Sequence, residues 1–161
     1  MWLLYTHYDG EQAPVSARVL QSERTYKVGS KLDAVDLHVP IARISRLAGT
    51  LRVGAVAPSD VPCTRKRADL TWTMQMNSKS GSLVEGFRGR NRVEQRIRPE
   101  TPVELGDASR ICLVSGVYAD VRWLPVILCC PSHLHKDDMI RVAARVGVHI
   151  VPTLCEATHL V

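Results

Sequence analysis

Leu70-Thr71-Trp72-Thr73-Met74-Gln75-Met76 alternates apolar and polar residues with a strict period of two, which sets Leu70, Trp72, Met74 and Met76 on one face of an extended chain. A strand with one apolar face must bury that face against another layer, so all four residues are expected in a core. The same grammar recurs on both sides of it. Short strand-forming runs at 2–8, 17–20, 25–28, 35–39, 50–56, 93–97, 110–115 and 119–124 are separated mostly by Gly, Pro, Ser, Asp or Asn. Many short strands joined by such turns predict an all-β sandwich. Residues 57–67, with Pro58, Pro62 and the basic triplet Arg65-Lys66-Arg67, read as an exposed loop between two of the strands.

After Trp123 the pattern changes. Pro125-Val126-Ile127-Leu128-Cys129-Cys130 is a continuous apolar run of strand length, as in strands covered on both faces in a parallel sheet. Residues 134–146 place Ile140, Ala143 and Ala144 on one helical face, with Asp137 and Asp138 near the start, Arg141 and Arg145 later, and Gly147 at the capping position. His149-Ile150-Val151 reads as a second strand, so this segment predicts an α/β unit of the βαβ kind.

The 161 residues are 45% hydrophobic and 23% charged, which are globular proportions and exclude a disordered or fibrous chain. No apolar run approaches the ~20 residues of a membrane-spanning helix, and the start Met1-Trp2-Leu3-Leu4-Tyr5 lacks the form of a signal peptide, so an intracellular protein with no membrane contact is expected. The five cysteines have no CxxC spacing and are expected as reduced, mostly buried thiols. Cys129, Cys130, His133 and His135 lie close together. Adjacent strand cysteines point to opposite faces, however, and zinc ligands favour spacings of two to four on a turn, so no metal is expected. No Gly-x-Ser-x-Gly elbow, P-loop, His-Glu-x-x-His or dinucleotide glycine fingerprint occurs, so neither a catalytic residue nor a cofactor is expected. The formal charge of +5 suits nucleic acid or a phosphorylated peptide alike. With aromatics at 5%, the chain lacks the interleaved stacking residues of single-strand binders.

Three stretches carry a family resemblance. Tyr26-Lys27-Val28-Gly29-Ser30-Lys31, Ile44-Ser45-Arg46-Leu47-Ala48-Gly49 and Ser78-Lys79-Ser80-Gly81-Ser82-Leu83-Val84-Glu85-Gly86 resemble, in order and spacing, the Gly-Arg, Ser-x-x-His and Ser-Lys-Asn-Gly-Thr-x-Val-Asn-Gly signatures of the forkhead-associated (FHA) domain. The stretch from Arg122-Trp123-Leu124-Pro125-Val126 to Ala157-Thr158-His159-Leu160-Val161 resembles the first half of a BRCT domain. The succession without a long linker is similar to the nibrin family of DNA double-strand-break repair adaptors. The resemblance implies an FHA-like phosphopeptide-binding domain at 1–118 and the truncated N-terminal half of a BRCT-like domain at 119–161, with an uncovered apolar face. It further implies that loops at one end of the sandwich hold a phosphothreonine. Ser45 would donate its hydroxyl, Lys31, Arg46 and Lys79 would supply charge, and Ser78, Ser80 and Gly81 would complete the turn beside the peptide backbone. The implied partner is an acidic-flanked phosphorylated Ser/Thr peptide of a DNA-damage protein in the nucleus. The nuclease and ATPase subunits of the MRN repair complex are expected to be reached only through regions this chain lacks.

The signatures are not all met. Ser30 stands at the arginine position, Ala48 at the histidine position, and Ser80 and Glu85 at the two asparagine positions. Loss of the arginine removes a charge-assisted bond of about 1.5–3 kcal/mol, or about 10- to 100-fold in affinity. Lys31 is a weaker substitute, being a point charge without the planar fork. Ala48 implies a less ordered loop. A second possibility therefore stays open, an FHA-fold interaction or DNA-contacting module that no longer needs phosphate. Arg88, Arg90, Arg92, Arg96 and Arg98 would then face nucleic-acid phosphates, and residues 78–86 would be a plain hairpin.

Overall fold

A computed structural model describes residues 1–11, 13–55, 68–88, 91–124, 126–129, 136–146, 148–151 and 159–160. Its first eleven strands are β1 (Trp2–Tyr8), β2 (Ser16–Leu20), β3 (Thr25–Gly29), β4 (Leu37–His38), β5 (Gly49–Val53), β6 (Leu70–Met74), β7 (Leu83–Arg88), β8 (Asn91–Arg96), β9 (Pro102–Glu104), β10 (Arg110–Val114) and β11 (Val117–Trp123). They form a six-stranded sheet in the order β2-β1-β11-β10-β7-β8 and a five-stranded sheet in the order β4-β3-β5-β6-β9. All pairings are antiparallel except β3 with β4. The sandwich implied by the period-two pattern is present. Its core is one cluster that draws Trp2, Leu4, Ile111 and Val121 from one sheet and Val28, Leu51, Leu70 and Trp72 from the other.

Trp72 connects this core to the loop that follows β6. Its indole N–H donates to the Gly81 carbonyl at 2.9 Å. Gly81 takes a φ of +77°, and a Cβ there would lie 2.5 Å from the Trp72 ring. Only glycine meets both demands, because other residues avoid the left-handed region and carry the atom that would collide. Gly81 is thus buried against the tryptophan.

Several sequence expectations are corrected. β6 ends at Met74, and Met76 is 59% exposed, so it is not a core residue. Its amide leaves the ladder and donates to the Glu100 carboxylate instead. The domain boundary expected between 118 and 119 falls inside β11, whose residues pair with β1 from Val117 to Trp123. Those seven residues complete the sandwich, so it runs to Trp123. β7 and β9 were not anticipated as strands, since the glycine- and proline-containing stretches that hold them read as turns.

Beyond Trp123, β12 (Ile127–Cys129), α1 (Lys136–Val146), β13 (His149–Val151) and β14 (His159–Leu160) form a parallel sheet in the order β13-β12-β14, with the helix between β12 and β13. This is the expected βαβ unit. Ala143 of α1 is buried, as its helical position requires. The helix end meets the sandwich where the Ser22 N–H and hydroxyl both donate to the Arg145 carbonyl, at 2.8 and 3.2 Å. The expectations for residues 57–67, Arg90, Cys130, His133, His135, Gly147 and Cys155 lie outside the described residues.

Candidate functional site

Three loops meet at one end of the sandwich: residues 30–36 after β3, 39–48 after β4 and 75–82 after β6. The first two are stitched by backbone. Ser30 N–H donates to the Ser45 carbonyl at 3.1 Å and Lys31 N–H to the Arg46 carbonyl at 3.3 Å. The Ser30 hydroxyl donates to the Ile44 carbonyl at 2.8 Å. Gly29 allows this approach, since a Cβ there would collide with the Arg46 carbonyl. The third loop joins through the Gln75 N–H, which donates to the Ala48 carbonyl at 3.0 Å.

The junction is a cluster of three hydroxyls. Ser80 Oγ accepts the Ser45 N–H at 3.0 Å, and Ser78 Oγ accepts the Ser80 N–H at 2.9 Å. Ser45 Oγ accepts the Lys79 N–H at 3.1 Å and lies 3.1 Å from Ser78 Oγ and 3.4 Å from Ser80 Oγ. The Ser78 hydroxyl also has the Ser80 carbonyl within 2.9 Å. A serine hydroxyl has one proton and two lone pairs. The Lys79 N–H occupies one lone pair of Ser45, and the three hydroxyl protons can be shared around the cluster or turned to an incoming acceptor. Ser45, half-buried at the mouth of the cluster, therefore offers a hydroxyl that an incoming acceptor can recruit.

Lys31, Arg46 and Lys79 are exposed on the loops that meet here, and no carboxylate among the described residues pairs with any of them. A serine hydroxyl on loops that also carry three exposed cations can bind an anion such as a phosphate ester. Of the seven site residues inferred from sequence, Lys31, Ser45, Arg46, Ser78 and Lys79 gather at this mouth. Ser80 and Gly81 belong to the same loop but are buried, Ser80 with 0% exposure. They hold the loop from within and do not offer a surface to a ligand.

Ala48, at the position where a histidine was expected, is also 0% exposed and packs in the core. Its loop is nevertheless held. The Ser80 hydroxyl anchors the Ser45 amide, and His38 Nε2 lies 3.1 Å from the Ser30 carbonyl, which makes that nitrogen the donor. Sequence reading missed the bracing parts of His38 and Ser30. They belong to no spacing signature, and only the parallel pairing of β3 with β4 sets them side by side.

The arginines after the glycine turn do not form a uniform basic face. Arg92 is ion-paired with Glu85, while Arg110 holds Asp120 through two bonds of 2.6 and 2.9 Å. Asp120 keeps the Arg110 guanidinium's pKa above its ordinary value and also has His7 at 3.4 Å. Glu85, Arg92, Arg110, Asp120 and Arg122 line a shallow cavity of about 220 Å³ on the outer face of the six-stranded sheet. Arg96 and Arg98 remain exposed. The side chain of Arg88 lies outside the described residues. Among the described residues, no group of three or more His, Cys, Asp or Glu side chains is placed to hold a metal ion.

No family model matches the chain, and no curated protein sequence matches it. Solved structures do. The FHA domain of CT664 from Chlamydia trachomatis aligns with 76% of this chain and 97% of its own, at 20% identity and a TM-score of 0.55. The MEK1 FHA domain aligns with 76% of this chain and 89% of its own, at 12% identity and a TM-score of 0.56. The sandwich is of the FHA type. Its three meeting loops are thus the loop end of an FHA-type fold. The structure of the S. pombe Nbs1-Ctp1 complex matches 99% of this chain at 15% identity and a TM-score of 0.67. The S. pombe Nbs1 FHA/BRCT-repeat structure matches the same share at 16% identity and a TM-score of 0.63. The likeness therefore continues through the α/β segment, which is BRCT-like. This chain spans about half of the Nbs1 chains it matches, 48% and 47%.

Proposed function

We propose that this chain is a phosphothreonine-peptide-binding adaptor module of a nibrin-like DNA double-strand-break repair protein, acting in the nucleus and without catalytic activity. The observation that carries the proposal is the Ser45 hydroxyl, clustered with Lys79 N–H, Ser78 and Ser80 where the loops meet, with Lys31, Arg46 and Lys79 exposed on the same loops and paired with no carboxylate among the described residues. A phosphate dianion supplies what that arrangement lacks, a strong acceptor with two negative charges. Three exposed cations also suit acidic residues flanking the phosphate. The likeness in fold to S. pombe Nbs1, solved in complex with Ctp1, supports a protein partner. Ser30 lacks the guanidinium of the FHA signature, so the affinity should sit about 10- to 100-fold below that of a complete site.

Calorimetry with an Asp-flanked phosphothreonine peptide and its unphosphorylated twin tests the proposal. The phosphorylated form should bind at least about tenfold tighter. Equal affinities would remove it, and steeply salt-dependent binding of duplex DNA in their place would favour the DNA-contacting alternative.

A further inference from the structure

The turn joining β8 to β9, residues 97–101, touches the hydroxyl-bearing loop at two points and the end of β6 at a third. Ile97 N–H donates to the Ser82 carbonyl at 2.8 Å, and Glu100 N–H donates to the Met74 carbonyl at 2.9 Å. The Glu100 Oε1 accepts the Met76 N–H at 2.7 Å. Glu100 holds a φ of +57°, in the left-handed region that costs free energy for any residue with a side chain. Such a conformation persists only where surrounding contacts enforce it. Here they place a carboxylate on the amide of Met76, just after β6 ends.

That position is where the loop's path is decided. Ser78 N–H turns back to the Gln75 carbonyl at 2.9 Å, and the next amide, from Lys79, lands on Ser45 Oγ. Met76 lies inside this turn with its side chain exposed, so little apolar packing holds it. Glu100 supplies the missing restraint. Its charge works the other way, since a carboxylate beside an anion site opposes the ligand. Accepting a hydrogen bond and bearing a charge therefore act with opposite signs, and substitution can separate them.

We propose that Glu100 is a positioning residue of the anion site and that the 97–101 turn is its fourth wall. The proposal rests on the phosphopeptide reading above. The test uses the full chain and the Asp-flanked phosphothreonine peptide, with calorimetric affinity, melting temperature and amide exchange at Met76 and Lys79. E100A loses the acceptor and should bind about tenfold more weakly, the scale of one charge-assisted bond, with faster exchange at both amides. E100Q keeps an oxygen acceptor without the charge and should bind at least as tightly as the unsubstituted chain. E100G relieves the backbone strain but also lacks the acceptor, so it should melt no lower than E100A while binding as weakly.

A purely structural role would move the melting temperature and leave affinity alone. Normal binding by E100A despite faster Met76 exchange would overturn the proposal, as would E100Q binding as weakly as E100A. Either result leaves phosphopeptide recognition standing, provided the unsubstituted chain prefers the phosphorylated peptide. If it shows no such preference, both proposals fall.

Discussion

Ser80→Ala is the substitution that best probes how the loop end is held together. The Ser80 hydroxyl has no solvent exposure and accepts the Ser45 N–H at 3.0 Å. Alanine leaves that amide facing a methyl group that neither accepts a bond nor admits water. An unsatisfied buried donor costs about 1–3 kcal/mol, and the half-buried setting of Ser45 argues for the lower part of that range, about 1–2 kcal/mol. In a chain of 161 residues each kcal/mol moves the melting temperature by about 2–4 °C, so a fall of about 2–8 °C is expected. Thermal melts followed by circular dichroism would read it. Phosphopeptide affinity should fall as well, since the loop carrying Ser45 and Arg46 loses its anchor. A double-mutant cycle with Ser45→Ala refines the measurement, because that change keeps the backbone N–H. The coupling then reports only the long contact of 3.4 Å between the two Oγ atoms and should stay under about 0.5 kcal/mol. A melting temperature within about 1 °C of the unsubstituted protein, together with undiminished peptide binding, would refute the anchoring role.

Ser45→Ala alone should reduce phosphopeptide affinity by about 10- to 100-fold in calorimetry while lowering the melt less than Ser80→Ala does, because the Lys79 amide that loses its acceptor is exposed and can turn to water. Gly81→Ala meets both a positive φ and the Trp72 ring, so urea titration should show a loss of about 2 kcal/mol or more; a loss under about 0.5 kcal/mol would mean the ring can move aside. Ser30→Arg restores the guanidinium of the FHA signature and should tighten the phosphorylated peptide by about tenfold, with no gain for the unphosphorylated one. Burial pushes the Cys112 thiol pKa up, so less reactive thiolate is present at mildly alkaline pH. Alkylation followed by peptide mass mapping should be slower at Cys112 than for a free cysteine and should accelerate as pH rises past its raised value.

Strand identity was readable wherever side chains alternate. The residues from Leu70 to Met74 declare one buried face without help from the rest of the chain, because a pleated backbone sends successive side chains to opposite sides. Lys31, Ser45, Arg46 and Lys79 were readable too, since their spacing relative to Gly29 and Gly81 resembles a known signature. The alternation misplaced Met76, because it cannot show where a ladder stops. Two residues past Met74 the backbone leaves the sheet for Glu100, and the apolar side chain turns outward.

Chemistry that depends on partners distant in sequence was invisible in the chain order. Ser78 and Ser80 look alike in a loop motif, yet one lies half-open beside Ser45 and the other is sealed beneath it. That difference comes from a bond between residues 35 positions apart. The end of the sandwich at Trp123 is likewise set by pairing with Trp2 across the whole domain. Local periodicity reports what a residue's immediate backbone imposes. Burial, hydrogen-bond accounting and the freedom of a charge depend on which distant segments arrive beside it, and that follows from how the two sheets stack and where their loops converge.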